Sequence, residues 1–238
     1  MFRALAKDPM QNKRAVRKYE SEVEQQFNIL EKKVKQIFPT LTPNTNFEDF
    51  AALYLILIDQ YITNPVQKQV LDYVQKTAFQ GSYSARINLK SIGFSTAVGV
   101  LPTDPRVIEL LNQRNIAALK GITDDMAKTF KSELTEGILK GEGTEKLAKR
   151  VSESIGISRN RARTMVRTET AFAFNTARVD QFKKYGVEKV RWFTARDERV
   201  CPQCGPLHNK VFAIEDLPPI PYHPSCRCIP LAVIEEVD

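Results

Sequence analysis

The sequence predicts an α+β protein: a mainly helical N-terminal part, then a helical segment with one long helix, and finally a small C-terminal β layer around a Cys/His cluster. Three observations carry this expectation. Apolar residues recur at steps of three and four from Val16 to Tyr185, the period of helices with one buried face. Beyond Gly186 the period falls towards two and the composition turns β-rich, at Val187, Val190 and Trp192, then Val211-Phe212, then Ile229 to Ile234. All four cysteines, Cys201, Cys204, Cys226 and Cys228, and both histidines, His208 and His223, lie between Asp197 and Cys228.

The first helix is expected from Lys13 to Phe38, where Val16, Tyr19, Val23, Phe27, Leu30, Val34 and Ile37 form a narrow stripe suited to a partner helix in this chain or a neighbouring subunit. Pro39 to Asn46 (PTLTPNTN) is loop chemistry. A second helix follows from Phe47 to Thr63, apolar nearly all round through Ala51 to Ile58 and so central to the N-terminal core. Asn64-Pro65 ends it and opens a third through Val66, Val70, Val74 and Phe79. Gly81 to Leu101, with Gly93, Gly99 and β-branched residues, reads as loop.

Asp104-Pro105, a cap followed by proline in the first turn, starts a helix that Gly121 breaks. Thr123 to Ile138 is the next, stopped by Gly141 and Gly143, and Thr144 to Val151 another, ending near Gly156. Ser158 starts the last and longest, to Tyr185, with Gly186 as its stop. A domain boundary is placed at Lys120-Gly121, separating an N-terminal helical region, 1–120, from 121–238.

With 238 residues, 42% of them apolar, the chain can bury the core of one large or two small domains. Lysine and arginine outnumber acids 35 to 28, and the pI near 9.2 favours an acidic partner such as nucleic acid without requiring one. The start of the chain lacks the apolar core of a secretory signal, and no stretch approaches the ~20 apolar residues of a membrane span. The expectation is a soluble protein made in a reducing cytoplasm, where clustered cysteines more often hold metal than form disulfides.

On the last helix, Ala162, Met165, Val166, Phe172, Ala173 and Ala177 share one face, and Glu169 falls in their middle. A carboxylate there is expected to be a structural buried group with a hydrogen-bonded partner, Arg191, Arg196 or Arg227 being candidates, rather than a general base. Arg163, Arg167 and Arg178 are placed on the opposite face, as a phosphate-tracking run or a solvated basic surface.

Cys201-Pro-Gln-Cys204 has the spacing at which one tight turn presents two thiolates to a tetrahedral ion, and His223-Pro-Ser-Cys226-Arg-Cys228 offers three more donors. The expected centre is a structural zinc, Zn2+, held by Cys201 and Cys204 with two of His223, Cys226 and Cys228. His208 is a sixth donor in the window. A disulfide formed in an oxidising medium, and a metal-free fold with buried thiols, fit the same residues. Asp197 and Glu198 are the acids that a catalytic zinc would use, but a cluster able to close all four positions argues for a structural ion.

Taken in order, Gly121-Ile122, Gly141, Gly143-Thr144-Glu145, RARTMVRTETAFAFNTAR (Arg161 to Arg178), Trp192, Asp197 with CPQC, Phe212 and HPSCRC resemble the phage minor head protein family, also called Mu F-like or head morphogenesis proteins. The likeness covers residues 120 to 230; Arg167-Thr168-Glu169 with Asn175 is similar to the family's helix signature. It implies a non-catalytic minor capsid protein of the virion, made in the host cytoplasm, associated with the portal vertex and acting in head assembly, DNA packaging or DNA delivery. The implied partners are the portal protein and other capsid components, with double-stranded DNA in reach and neither membrane nor small-molecule substrate. A zinc-knuckle DNA-binding protein acting outside the capsid is the alternative. One departure stands out: the family's Leu-x-Gly turn is here Leu207-His208-Asn209, and asparagine tolerates the positive φ that such a turn needs.

Overall fold

A computed structural model describes residues 9–40, 46–96, 99–195, 197 and 200–233. Residues 41–45 of the Pro/Thr/Asn loop, Arg196, Glu198 and Ile234 lie outside these. The helices are α1 (Lys13–Ile37), α2 (Phe47–Ile58), α3 (Asn64–Ser91), α4 (Pro105–Leu139) and α5 (Thr144–Lys184); the strands are β1 (Lys189–Phe193), β2 (Val211–Ala213) and β3 (Ile229–Val233). The α+β expectation therefore holds. No described helix is long and apolar enough to cross a membrane.

Several helices are longer than the glycines suggest, and each difference has a cause. Asn46 caps α2 through Glu48 N, and the chain then passes through a widened turn, Asp59–Thr63, into α3. That widening lets the helical path continue past Pro65, which has no N–H to donate. Gly81 to Ser91 is helix, not loop. Gly81 is there for proximity: a Cβ on it would lie 2.1 Å from the Phe174 carbonyl oxygen of α5. The stop is Gly93, at φ +84°, with Phe94 N bonding Leu89 O. Gly121 does not break α4, so the boundary placed at Lys120-Gly121 falls inside a continuous helix. The ~1 kcal/mol by which glycine disfavours a helix is outweighed by burial of its neighbours Leu119 and Ile122. Gly156 is likewise interior, and the two helices expected there are one of 41 residues.

Two compact units are present. One comprises Lys18–Leu71 and Arg114–Met165. In it α1 buries Tyr19, Val23, Phe27, Leu30 and Val34, so the stripe is covered within this chain. Phe130 of α4 stacks on Tyr54 of α2 at 3.8 Å between centroids and meets Phe50 at 5.4 Å. Helix α2 is less central than its composition implies, because Leu53, Leu55 and Ile56 are exposed. Near the α4–α5 turn, Arg150 binds Glu133 at 2.6 Å, Glu142 at 2.8 Å and Glu136 at 3.3 Å.

The other unit comprises Met1–Arg17, Asp72–Gln113 and Val166–Asp238, and carries the sheet. The strand order is β2-β1-β3, antiparallel throughout, with Val190 opposite both Phe212 and Ala232. Lys189 and Arg191 face outwards while Val190 and Trp192 are buried, the expected alternation. Ala85 and Leu89 of α3, Phe182 of α5, and Val190, Ile214 and Ala232 form one core beneath the sheet. Gly186, at φ +73°, ends α5, with Val187 N bonding Phe182 O.

Gly81→Ala should lower the stability of this unit by about 2 kcal/mol or more, because the intruding atom meets backbone rather than a side chain that can swing away. A urea midpoint equal to that of the unsubstituted protein would contradict the close approach.

Candidate metal centre

The centre is built from two tight turns that the sheet brings together. The first follows β1: Cys204 N bonds Cys201 O at 3.2 Å, Gly205 N bonds the same carbonyl at 3.0 Å, and Cys204 N lies 3.2 Å from Cys201 Sγ. The hairpin closes through Asn209, whose φ is +65° and whose amide bonds Trp192 O. Asparagine thus adopts the left-handed conformation that its place in the Leu-x-Gly turn requires. The second turn leads into β3: Cys226 N bonds His223 O at 3.2 Å, and Ser225 N is received by Thr168 Oγ1 of α5 at 3.0 Å.

Five donors converge. Cys201, Cys204 and His223 form one group and Cys204, Cys226 and Cys228 another, each with its ligand atoms within 4.8 Å of one another. Cys204 Sγ lies 3.9 Å from Cys226 Sγ, close to the ~3.8 Å edge of a tetrahedron with 2.3 Å metal–sulfur bonds. None of the four cysteines is in a disulfide. The residues present therefore fit a metal ion. A hydrogen bond from the Cys228 thiol, against the opposing effect of burial, holds Cys226 down to about 5; burial and the Cys226 charge push Cys204 up to about 12. Cys228 itself is raised, chiefly by that bond to Cys226 and by burial. Trp192, fully buried, packs with Cys204, Cys226, Cys228 and Ile220.

His208 lies outside both groups. Its Nδ1 faces Thr194, 3.2 Å from the amide and 3.0 Å from Oγ1, and its ring packs on Phe193 at 5.2 Å. Arg227 makes a two-point ion pair with Asp197, 2.7 Å at each contact. That pair ties the loop after β1 to the residue between Cys226 and Cys228. Arg191 is exposed, and Glu169 is buried on α5.

The larger correction concerns Arg178. It is not on an outer basic face but 1% exposed, and burial pulls its pKa down to about 9, still charged at neutral pH. Its Nε donates to Pro230 O at 2.7 Å, Nη1 to Ser84 Oγ at 2.7 Å and Nη2 to Asn88 Oδ1 at 3.2 Å. One turn before it, Asn175 donates to Cys228 O at 3.1 Å, and Asn88 Oδ1 also receives Ala232 N at 2.9 Å. Residues 228, 230 and 232 point the same way along β3, away from β1. Side chains of α3 and α5 thus satisfy the outer edge of that strand, where Pro230 has no N–H to offer. A signal for this was present: Arg178 stands seven residues after Ala171 and four after Phe174, both buried, so it belongs to their face. Arg167 is exposed and Arg163 half-buried.

These features define a class: a helical protein whose small C-terminal sheet is tied to a long helix and closed by a Cys/His knuckle. Residues 128–230 match the family described as phage Mu protein F like protein. The matched segment contains Thr168, Asn175, Arg178 and all five donors. An uncharacterized protein of Methanocaldococcus jannaschii is 32% identical over 130 residues, covering 52% of this chain and 20% of that protein. The chain thus spans about a fifth of that relative's length. No solved structure matches the chain.

Arg178→Met should destabilise the sheet by about 2–3 kcal/mol, since the Pro230 carbonyl and the Asn88 and Ser84 groups lose a buried donor. Unfolding followed by Trp192 emission reads this directly; a midpoint unchanged from wild type would show that the edge bonds carry no stability.

Proposed function

We propose that this protein is a minor component of a phage-type head, associated with the portal vertex and acting, without catalysis, in head assembly, DNA packaging or DNA delivery. The match of residues 128–230 to the phage Mu protein F-like family carries the reading. The committed state of the polar groups supports a structural role: Asn175 and Arg178 donate to strand carbonyls, and Thr168 holds a turn of the knuckle. Partners would be the portal protein and other capsid components, and the location the virion. The ion would be a structural zinc, binding the hairpin loop to the lead-in of β3 where these short elements bury little core of their own.

The second reading, a zinc-knuckle DNA-binding protein acting outside the capsid, draws on the net charge and on Arg163 and Arg167. It loses Arg178, which is buried. In Arg163→Ala/Arg167→Ala, DNA binding with a reduced salt slope would support contact with phosphates.

Two outcomes are expected. Co-expressed with the portal and major capsid proteins of the same genome, the chain copurifies with procapsids in small copy number, and this is lost when the portal is omitted; tight binding to free DNA with no capsid association would favour the second reading. Elemental analysis gives stoichiometric zinc, and chelation loosens the C-terminal segment, seen as a shift in Trp192 emission. Zinc-free protein with the same unfolding midpoint rejects the structural ion.

A further inference from the structure

Five donors meet at the knuckle, and a tetrahedral ion takes four. We propose that the four are Cys201, Cys204, His223 and Cys226, a three-sulfur, one-nitrogen set, and that Cys228 stays outside it as a thiol positioning the centre against α5. This rests on the structural metal proposed above and names its ligands.

The two turns that supply the set are alike. Each places two donors three residues apart, and in each the amide of the second donor residue bonds the carbonyl of the first at 3.2 Å. They also oppose each other pairwise, Cys201 Sγ lying 3.1 Å from His223 Nε2 and Cys204 Sγ 3.9 Å from Cys226 Sγ. Two turns facing in this way enclose one ion between them. His223 is already set for the task. Its Nδ1 lies 2.9 Å from the Pro224 carbonyl, which can only accept, so the ring proton belongs on Nδ1 and the Nε2 lone pair faces Cys201. Metal-bound imidazoles are held by a bond of this kind.

Cys228 is placed differently. It is not the second donor of a turn but sits two residues beyond Cys226, immediately before β3. Its sulfur lies within 4.8 Å of those of Cys204 and Cys226, whereas the facing pairs are Cys204 with Cys226 at 3.9 Å and Cys201 with His223 at 3.1 Å, so its place in the chain is what sets it apart. Its backbone is anchored elsewhere, by Asn175 through the carbonyl. Cys228 thus brings its sulfur within 4.8 Å of the Cys226 sulfur while its own backbone is fixed to α5.

Cobalt substitution tests this, because the sulfur-to-cobalt charge-transfer intensity counts thiolates. The full chain loaded with Co2+ should give the spectrum of three thiolates and one imidazole. Cys228→Ala should keep that spectrum while its affinity falls about 10–100-fold, the usual effect of removing a hydrogen bond to a ligand. His223→Cys should convert it to a four-thiolate spectrum. A four-thiolate spectrum in the wild type, two ions bound per chain, or a spectrum altered by Cys228→Ala and kept in His223→Ala overturns the assignment. The wild-type spectrum alone decides the sulfur count, so the test survives a variant that fails to fold. Wild-type protein that takes up neither cobalt nor zinc overturns the structural metal itself, and the ligand set with it.

Discussion

The constraint on which the sheet-bearing unit depends is the burial of a charged guanidinium. Arg178 lies within α5 at 1% exposure, and an unmatched cation there would cost several kcal/mol. It is matched by the Pro230 carbonyl, Ser84 and Asn88, acceptors from β3 and α3. Meeting all three at once fixes the height of α3 against α5 and the register of β3 against both. The touching backbones at Gly81 and Phe174 impose the same alignment by contact, so the electrostatic and steric demands coincide.

The knuckle extends this order to segments with no periodic structure. Among the described residues, 194 to 228 include one short strand, β2, and brief turns, which bury little. Their positions come from discrete ties: Thr168 to Ser225, Asn175 to Cys228, Asp197 to Arg227, and the convergence of five donors around Trp192. Helix α5 is the common reference for the first two.

Sequence periodicity made the helical segments, the change to strands after Gly186 and the donor cluster legible, because each is a local pattern, but it divided α4 and α5 into two helices each. What it could not supply was the meaning of glycine in context. Gly81 looks like a breaker in the sequence and is a contact point in the fold; Gly121 looks like a boundary and is a tolerated interior residue. Arg178 was misplaced for a related reason. A basic residue suggests an outer face, whereas its helical phase with Ala171 and Phe174 places it inside, and only the strand opposite reveals its acceptors. The pairing of Asp197 with Arg227 had no sequence signal at all, since 30 residues of turns separate them.

The treatment of β3 limits how this protein can meet its neighbours. A sheet is most readily extended by an incoming strand at an edge with free amides and carbonyls. Here one edge is occupied by Asn88, Asn175 and Arg178 and interrupted by Pro230, and the other is β2, three residues long. Among the described residues strand addition therefore has little edge to use, which leaves the side chains of helices and turns as the larger surface for any association, where specificity can be tuned without opening the fold.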